Sequence, residues 1–446
     1  MPERIFRRDD PGYEAARRAT MWNARLPDRF PEVIAQATDV DDVVDAVKLA
    51  NREELRIAVC SGGHSWSGHH IRGDGVLLDV SRLNEMTIDK QSFRVTCGPG
   101  LLQQDLSAAL GRRGLFFPTG HCRGVGLGGY LLQGGFGWNS RVLGPACMSV
   151  LGIDVVTAEG ERVHASETEN EDLYWAARGA GPGFFGIVTR FELRVYPKPK
   201  SIGCALQAFP LDALESVFRW VHALGPEIPA SVELNVLIRN RAPGVGGPGI
   251  EMFAPVFEDS HEAALRALDF LNKGPLETRT DWHVPFAPAS LGVMSRIVMS
   301  HYPKGRRWAV DNMWTHASID ELLPGLFKIA VTMPPPPSHM LWLPWMPDTT
   351  RPDMAFSLED DIYIAVYGGW KDEKDDDAFA PWAESRMREM QHLASGTQLA
   401  DENLERRWVR FLGAGNLARL DTIRARRDSK ARFYALDFSR DDQTAA

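Results

Sequence analysis

Cysteine is scarce in this chain: five residues in 446, an odd number, with no CxxC pair. That excludes a disulfide framework and the paired thiolates of a structural zinc motif, and it points to a reducing compartment, so a cytoplasmic protein is expected. Nowhere is there a run of roughly 18 uninterrupted apolar residues, the length a membrane span needs. The charged N-terminal stretch is followed by no apolar signal core, so no membrane partner is expected. An excess of positive charge is missing too. The formal net charge is −9 with acidic and basic residues interspersed, which argues against a nucleic-acid partner. Internal repeats and long disordered tracts are also absent, leaving an ordinary globular enzyme-sized chain with a small molecule as the expected partner.

What is present falls into two kinds of pattern. From Thr38, Val40, Val43, Val44 and Val47 share one helical face behind a cap at Thr38 with Asp41 three residues on. Short strands follow at 55–59 and 75–81, flanking a glycine- and histidine-rich loop. A strand at "FRVTC" leads into a helix carrying Leu102, Leu106, Ala109 and Leu110 on one face. Nine glycines crowd between Gly120 and Gly144, a hairpin turns at Glu159-Gly160, and "GIVTRFELRVYP" reads as a long strand. Near 197–200 the composition shifts. Strand-like runs ("VELNVLIRN", "GIEMFAPVF", "DIYIAVYGGW") then alternate with helical ones, and nine of the thirteen tryptophans lie beyond residue 200. The prolines of "PPPPSHMLWLPW" make that segment largely extended.

"CSGGHSWSGHH", Cys60 to His70, has the composition of a metal site but not its spacing. Adjacent His69 and His70 point apart in extended chain, no further ligand pair follows, and no metal is expected. "GVGLGG", Gly124 to Gly129, matches GxGxxG yet lacks a preceding buried strand and the acidic residue about twenty positions on, so it is no dinucleotide fingerprint. Taken together, the two loops offer backbone amides for a pyrophosphate, with His64 and Cys122 as nucleophiles able to bond an electrophilic flavin position.

The order of "GGHSW" at 62–66, "GHCRGVGLGGYLLQGGFGWNSRVLG" at 120–144, "LGIDVVTAEGERVHAS" at 151–166, "NEDLYWAARGAGPGFFGIVTRFELRVYP" at 170–197 and "FLGAGNLARLDTIRARRD" at 411–428 resembles the berberine bridge enzyme-like flavoproteins of the vanillyl-alcohol-oxidase superfamily. The resemblance implies an α+β, two-domain FAD-binding fold, with residues 1–200 and 400–446 binding FAD. Residues 201–399 would form an antiparallel substrate-binding sheet backed by helices. It implies covalent FAD through His64 (to the 8α-methyl carbon) and Cys122 (to ring carbon 6). Ser61, Gly62, Gly63, Ser65, Gly126, Gly128 and Gly129 would cradle the pyrophosphate, and Gly186, Ile187 and Val188 would pack adenine and ring edges. Val125 matches a position over the flavin's oxygen-reactive carbon, where valine accompanies oxidase activity. His69, His70 and His121 keep ordinary structural roles.

The implied activity is oxidation of a small organic substrate, an alcohol or a phenolic or aromatic compound, by hydride transfer to flavin N5. Dioxygen would accept the electrons and leave as hydrogen peroxide. Carbohydrate oxidation or a dehydrogenase of the same family is the alternative, and an inactive flavin- or metal-binding protein the alternative of another class. Relatives often place a basic tyrosine where this chain has Gln398, which cannot be the base. On "DIYIAVYGGW", period-two alternation places Tyr363, Ala365 and Tyr367 on one face, and the two tyrosines are the catalytic candidates.

Overall fold

The computed structural model describes residues 4–347 and 350–435; the tail from 436 on, part of the segment assigned to FAD binding, lies outside the described residues. Two smaller sheets are built from the first 200 residues. One is mixed and runs, in spatial order, Ile5–Arg7, Val33–Gln36, Val76–Asp79, Ile57–Cys60, its last two pairings parallel. The other is antiparallel: Met86–Asp89, Arg94–Cys97, Ile187–Arg194, Val150–Val156, Arg162–Ser166. The helix Val40–Arg52 buries Val43, Val44 and Val47 in the core shared by these sheets. Its cap is one residue later than the valine pattern predicts. Asp39 accepts from the Asp42 amide, and Asp42 in turn accepts from the Thr38 amide and hydroxyl, a reciprocal pair that satisfies more donors than Thr38 alone could. The hairpin at Gly160 forms as expected, with φ +83 at that glycine.

Leu115–Phe116 pairs with Tyr196–Pro197, and the remaining strands make one seven-stranded antiparallel sheet in the order His283–Pro288, Ser201–Pro210, Gly249–Glu258, Asn235–Arg239, His339–Pro344, Ile362–Trp370, Arg307–Thr315. Helices Leu214–Leu224, Ile319–Thr332 and Pro381–Glu389 cover one face. The second of these starts at a Ser318/Glu321 capping box, a sequence signal that stands directly before an apolar run. Strand Ile362–Trp370 shows how the sheet divides its surroundings. Ile362, Ile364 and Val366 point into the helix-backed core, whereas Tyr363, Ala365 and Tyr367 join an aromatic layer on the other face with Trp308, Trp314 and Tyr302. With both faces covered, all nine residues of the strand are buried. The fold is α+β.

Candidate active site

Two glycine loops meet at close range. After strand Ile57–Cys60 the chain turns through Gly63 at φ +67. A Cβ on Gly63 would stand 2.2 Å from the Thr20 carbonyl, and one on Gly62 would stand 2.4 Å from the Gly126 amide. Only glycine lets these backbones touch. The supposed metal ligands are spent on the same junction: the Cys60 thiol and His70 Nε2 both donate to the Thr20 carbonyl, at 3.6 and 2.8 Å, and His69 Nε2 accepts from Arg72 at 2.5 Å. Among the described residues no three His, Cys, Asp or Glu side chains converge as a metal site would require.

The loops open onto a cavity of about 360 Å³. Ser61 to Ser65 line it, as do Cys122, Val125, Gly126, Gly128 and Gly129. Gly186 and Val188 also reach it, but Ile187 does not. It alternates to the opposite side of its strand and packs in the core. His64 stacks on Trp22 with ring centroids 5.4 Å apart. Burial, helped by the charge of Lys304, pushes its imidazole down to about 4, which leaves a neutral ring with a nucleophilic nitrogen at pH 7. Burial pushes the Cys122 thiol up to about 12, and the carboxylate of Asp401 adds to the effect. The cavity suits FAD: Gly129 presents open space where a Cβ would stand, and the buried Gln103 Nε2 on the wall has no protein acceptor among the described residues.

From the seven-stranded sheet, Tyr363 and Tyr367 point into the same cavity. Both hydroxyls donate to Oδ2 of Asp401, at 2.5 and 2.8 Å, and Trp66 Nε1 donates to its Oδ1 at 2.7 Å. Burial raises the Asp401 carboxyl above its ordinary 3.8 and both tyrosines well above 10. Asp401 follows Gln398 by three residues in "SGTQLADEN" and escaped sequence reasoning, because one aspartate in a polar loop carries no periodic signal. Asn312 pins the segment. Its Nδ2 donates to the carbonyls of Gln398 and Asp401 at 2.9 and 2.8 Å, and its Oδ1 accepts the Gln398 amide at 2.7 Å. Glu359, also acidic and on the approach to the tyrosine strand, is spent on Trp345 and Arg351 at 2.6 and 2.7 Å.

The profile of the FAD binding domain matches residues 31–166. The FAD-linked oxidoreductase nodO of Hypoxylon pulicicidum is 33% identical over 438 residues, covering 96% of this chain and 95% of its own. The chain is an FAD-linked oxidoreductase. This oxidoreductase also shares 36% identity over 194 residues with (R)-6-hydroxynicotine oxidase of Paenarthrobacter nicotinovorans, a match covering 44% of this chain and 42% of the relative. Its fold is that of the vanillyl-alcohol-oxidase type. It superposes on 6-hydroxy-D-nicotine oxidase from Arthrobacter nicotinovorans with a TM-score of 0.84 at 22% identity, covering 96% of both chains. On BBE-like 1 of Physcomitrella patens the TM-score is 0.83 at 19% identity, over 97% of this chain and 96% of the other.

Proposed function

We propose that this oxidoreductase holds FAD covalently through His64 and Cys122 and oxidises a small aromatic or otherwise apolar alcohol or phenol, with dioxygen as final acceptor and hydrogen peroxide as product. Residues 1–200 and 400–446 would build the FAD half and 201–399 the substrate half, in the cytoplasm, where the five free thiols of the chain are stable. The observation that carries the reading is the pair of tyrosine hydroxyls donating to one buried carboxylate oxygen, Asp401 Oδ2, in the cavity that His64 and Cys122 also line.

Bound FAD supplies the hydride acceptor. The chain supplies the proton chemistry. With their hydroxyls held well above 10, Tyr363 and Tyr367 are not bases in their own right, and the Asp401 carboxylate, raised above 3.8 by burial, is the proton acceptor to which both hydroxyls point. A substrate hydroxyl bonded to either tyrosine passes its proton through that phenol to Asp401 Oδ2. Trp66 and the tyrosines hold the carboxylate in place, and the segment carrying it is tied to Asn312. Leu237, Phe253, Val298, Leu341 and Leu343 line the same cavity and favour an apolar substrate body over a sugar. A relative named as a hydroxynicotine oxidase supports an aromatic one.

Acid precipitation of the purified protein followed by peptide mapping tests the cofactor assignment. A yellow pellet whose flavin peptides contain His64 and Cys122 is expected, and a colourless pellet would sink it. Peroxide release across a panel of benzylic alcohols, phenols, amines and sugars tests the activity; silence toward every donor would favour an inactive carrier, and a response to sugars alone a carbohydrate oxidase.

A further inference from the structure

His121, assigned only a structural role by its sequence context, stands on the cavity wall beside Cys122. Its Nε2–H donates to Glu233 Oε2 at 2.9 Å, and the Glu233 side chain is only 5% exposed. The second carboxylate oxygen accepts the Asn139 amide, and Trp138 sets its edge against the imidazole at 4.3 Å. A carboxylate fixed in this way decides the tautomer, placing hydrogen on Nε2 and the lone pair on Nδ1. Nδ1 makes no hydrogen bond among the described residues, and the His121 side chain keeps 27% of its surface open, so the nitrogen is accessible to a proton. None of its partners is shared with the Asp401 set of Trp66, Tyr363 and Tyr367. The two hydrogen-bonded sets on the cavity wall are therefore separate.

We infer that the His121–Glu233 pair is the proton donor for dioxygen reduction, while Asp401 serves the organic substrate; the inference rests on the oxidase reading above. Oxidation of an alcohol releases one hydride and one proton, and the proton stays with Asp401. Dioxygen must gain two electrons and two protons to leave as hydrogen peroxide. The hydride brings both electrons and one of these protons, and the imidazolium of His121 delivers the other from Nδ1. Solvent later restores that proton, and Asp401 loses its own to solvent. Negative charge builds on dioxygen as it is reduced, so a positioned donor lowers that barrier, and Glu233 balances the imidazolium between turnovers. His121 belongs to the glycine loop that carries Cys122 and Val125, not to the apolar substrate wall, which is why it is assigned to dioxygen. The other titratable groups around the pair and across the cavity include Cys122 and Tyr130, held up to about 12 and well above 10 by burial, Arg141, brought down to about 10, His64, held near 4, the Asp401 tyrosines with Tyr302, Asp401 itself, and on the remaining wall Cys60, His69, His70, Arg72, His301 and Tyr434.

The test needs no knowledge of the substrate. Holoprotein is photoreduced without oxygen and mixed with oxygenated buffer from pH 5 to 9, and the return of flavin absorbance is followed. The wild type is expected to reoxidise rapidly, at a rate that falls as pH rises. His121→Leu should reoxidise roughly tenfold or more slowly and without that pH dependence, while its visible flavin spectrum and midpoint potential stay those of the wild type. Glu233→Gln should slow reoxidation less than His121→Leu does. A His121→Leu rate equal to that of the wild type, or a wild-type rate independent of pH, overturns the inference and leaves the oxidase reading standing. The pH profile of the wild type decides even if His121→Leu does not load flavin. Slow reoxidation of the wild type itself overturns the oxidase reading and this inference with it.

Discussion

The Tyr367 hydroxyl donates to Oδ2 of Asp401 at 2.8 Å, joining a residue of the seven-stranded sheet to one 34 positions further along the chain. That bond ties the short 3-10 turn Leu399–Asp401, which carries the proposed proton acceptor, to the strand that carries its proposed relay. Asp401→Asn keeps the size and removes the acceptor. Turnover, followed by peroxide release, should fall by about a hundredfold or more, with flavin still bound. Because burial raises Asp401 above 3.8 and the carboxylate is the working form, wild-type activity should rise as pH rises through that raised value, and this acid limb should be missing from the residual activity of Asp401→Asn.

The two proposed covalent links can be tested separately. His64→Ala and Cys122→Ala should each retain acid-stable flavin through the remaining residue, and the double variant should release its flavin on denaturation. Flavin that stays with the denatured double variant would mean that the attachment sites lie elsewhere.

The glycine junction should tolerate no side chain. A Cβ at Gly62 would stand 2.4 Å from the Gly126 amide, so Gly62→Ala must push the two loops apart. It should cost about 1–3 kcal/mol of stability and lower flavin content. Gly73→Ala is the control. No atom lies within 4 Å of its Cβ position, and urea denaturation should find it within about 0.5 kcal/mol of the wild type.

Asp311 and Arg407 form an ion pair with side chains each 1% exposed. Arg407 also donates to the carbonyl of Asn312, the residue that pins the Asp401 segment. Arg407→Met should strand the Asp311 carboxylate and cost about 3–5 kcal/mol, read as a lower urea midpoint. Turnover should fall as well, through the loosened segment.

His70 and His339 are buried as neutral rings, pushed down to about 4 and about 3 by desolvation. In the unfolded chain each takes up a proton near pH 6.5. The unfolded state therefore binds more protons than the folded one below that value, so stability is intact above about pH 6.5 and drains as pH falls toward 4. Urea midpoints at pH 7.5 and 5.0 should differ accordingly, and His70→Gln should narrow the difference.

Much of this was legible in the residues themselves. The period-two pattern of "DIYIAVYGGW" predicts a shared face for Tyr363 and Tyr367, and alternation along a strand enforces it wherever the strand lies. The paired glycines of "SGGHS" and the glycine-dense stretch after Cys122 predict close backbone approach, because only residues without a Cβ permit it. These are local properties, and local sterics decide them. Asp401 and His121 could not be read in the same way. Each became part of a site through a partner distant in sequence, Tyr363 and Tyr367 for one and Glu233 for the other, and the burial that tunes Asp401 comes from packing between segments. Ile187 makes the converse point: its neighbours reach the cavity, but the strand's alternation turns it into the core. Composition and motif thus determined the fold class, the cofactor loops and the tyrosine strand. Only tertiary structure decided which acids and bases meet in the cavity, because a proton-transfer network depends on distances of about 3 Å between residues that the chain itself holds far apart.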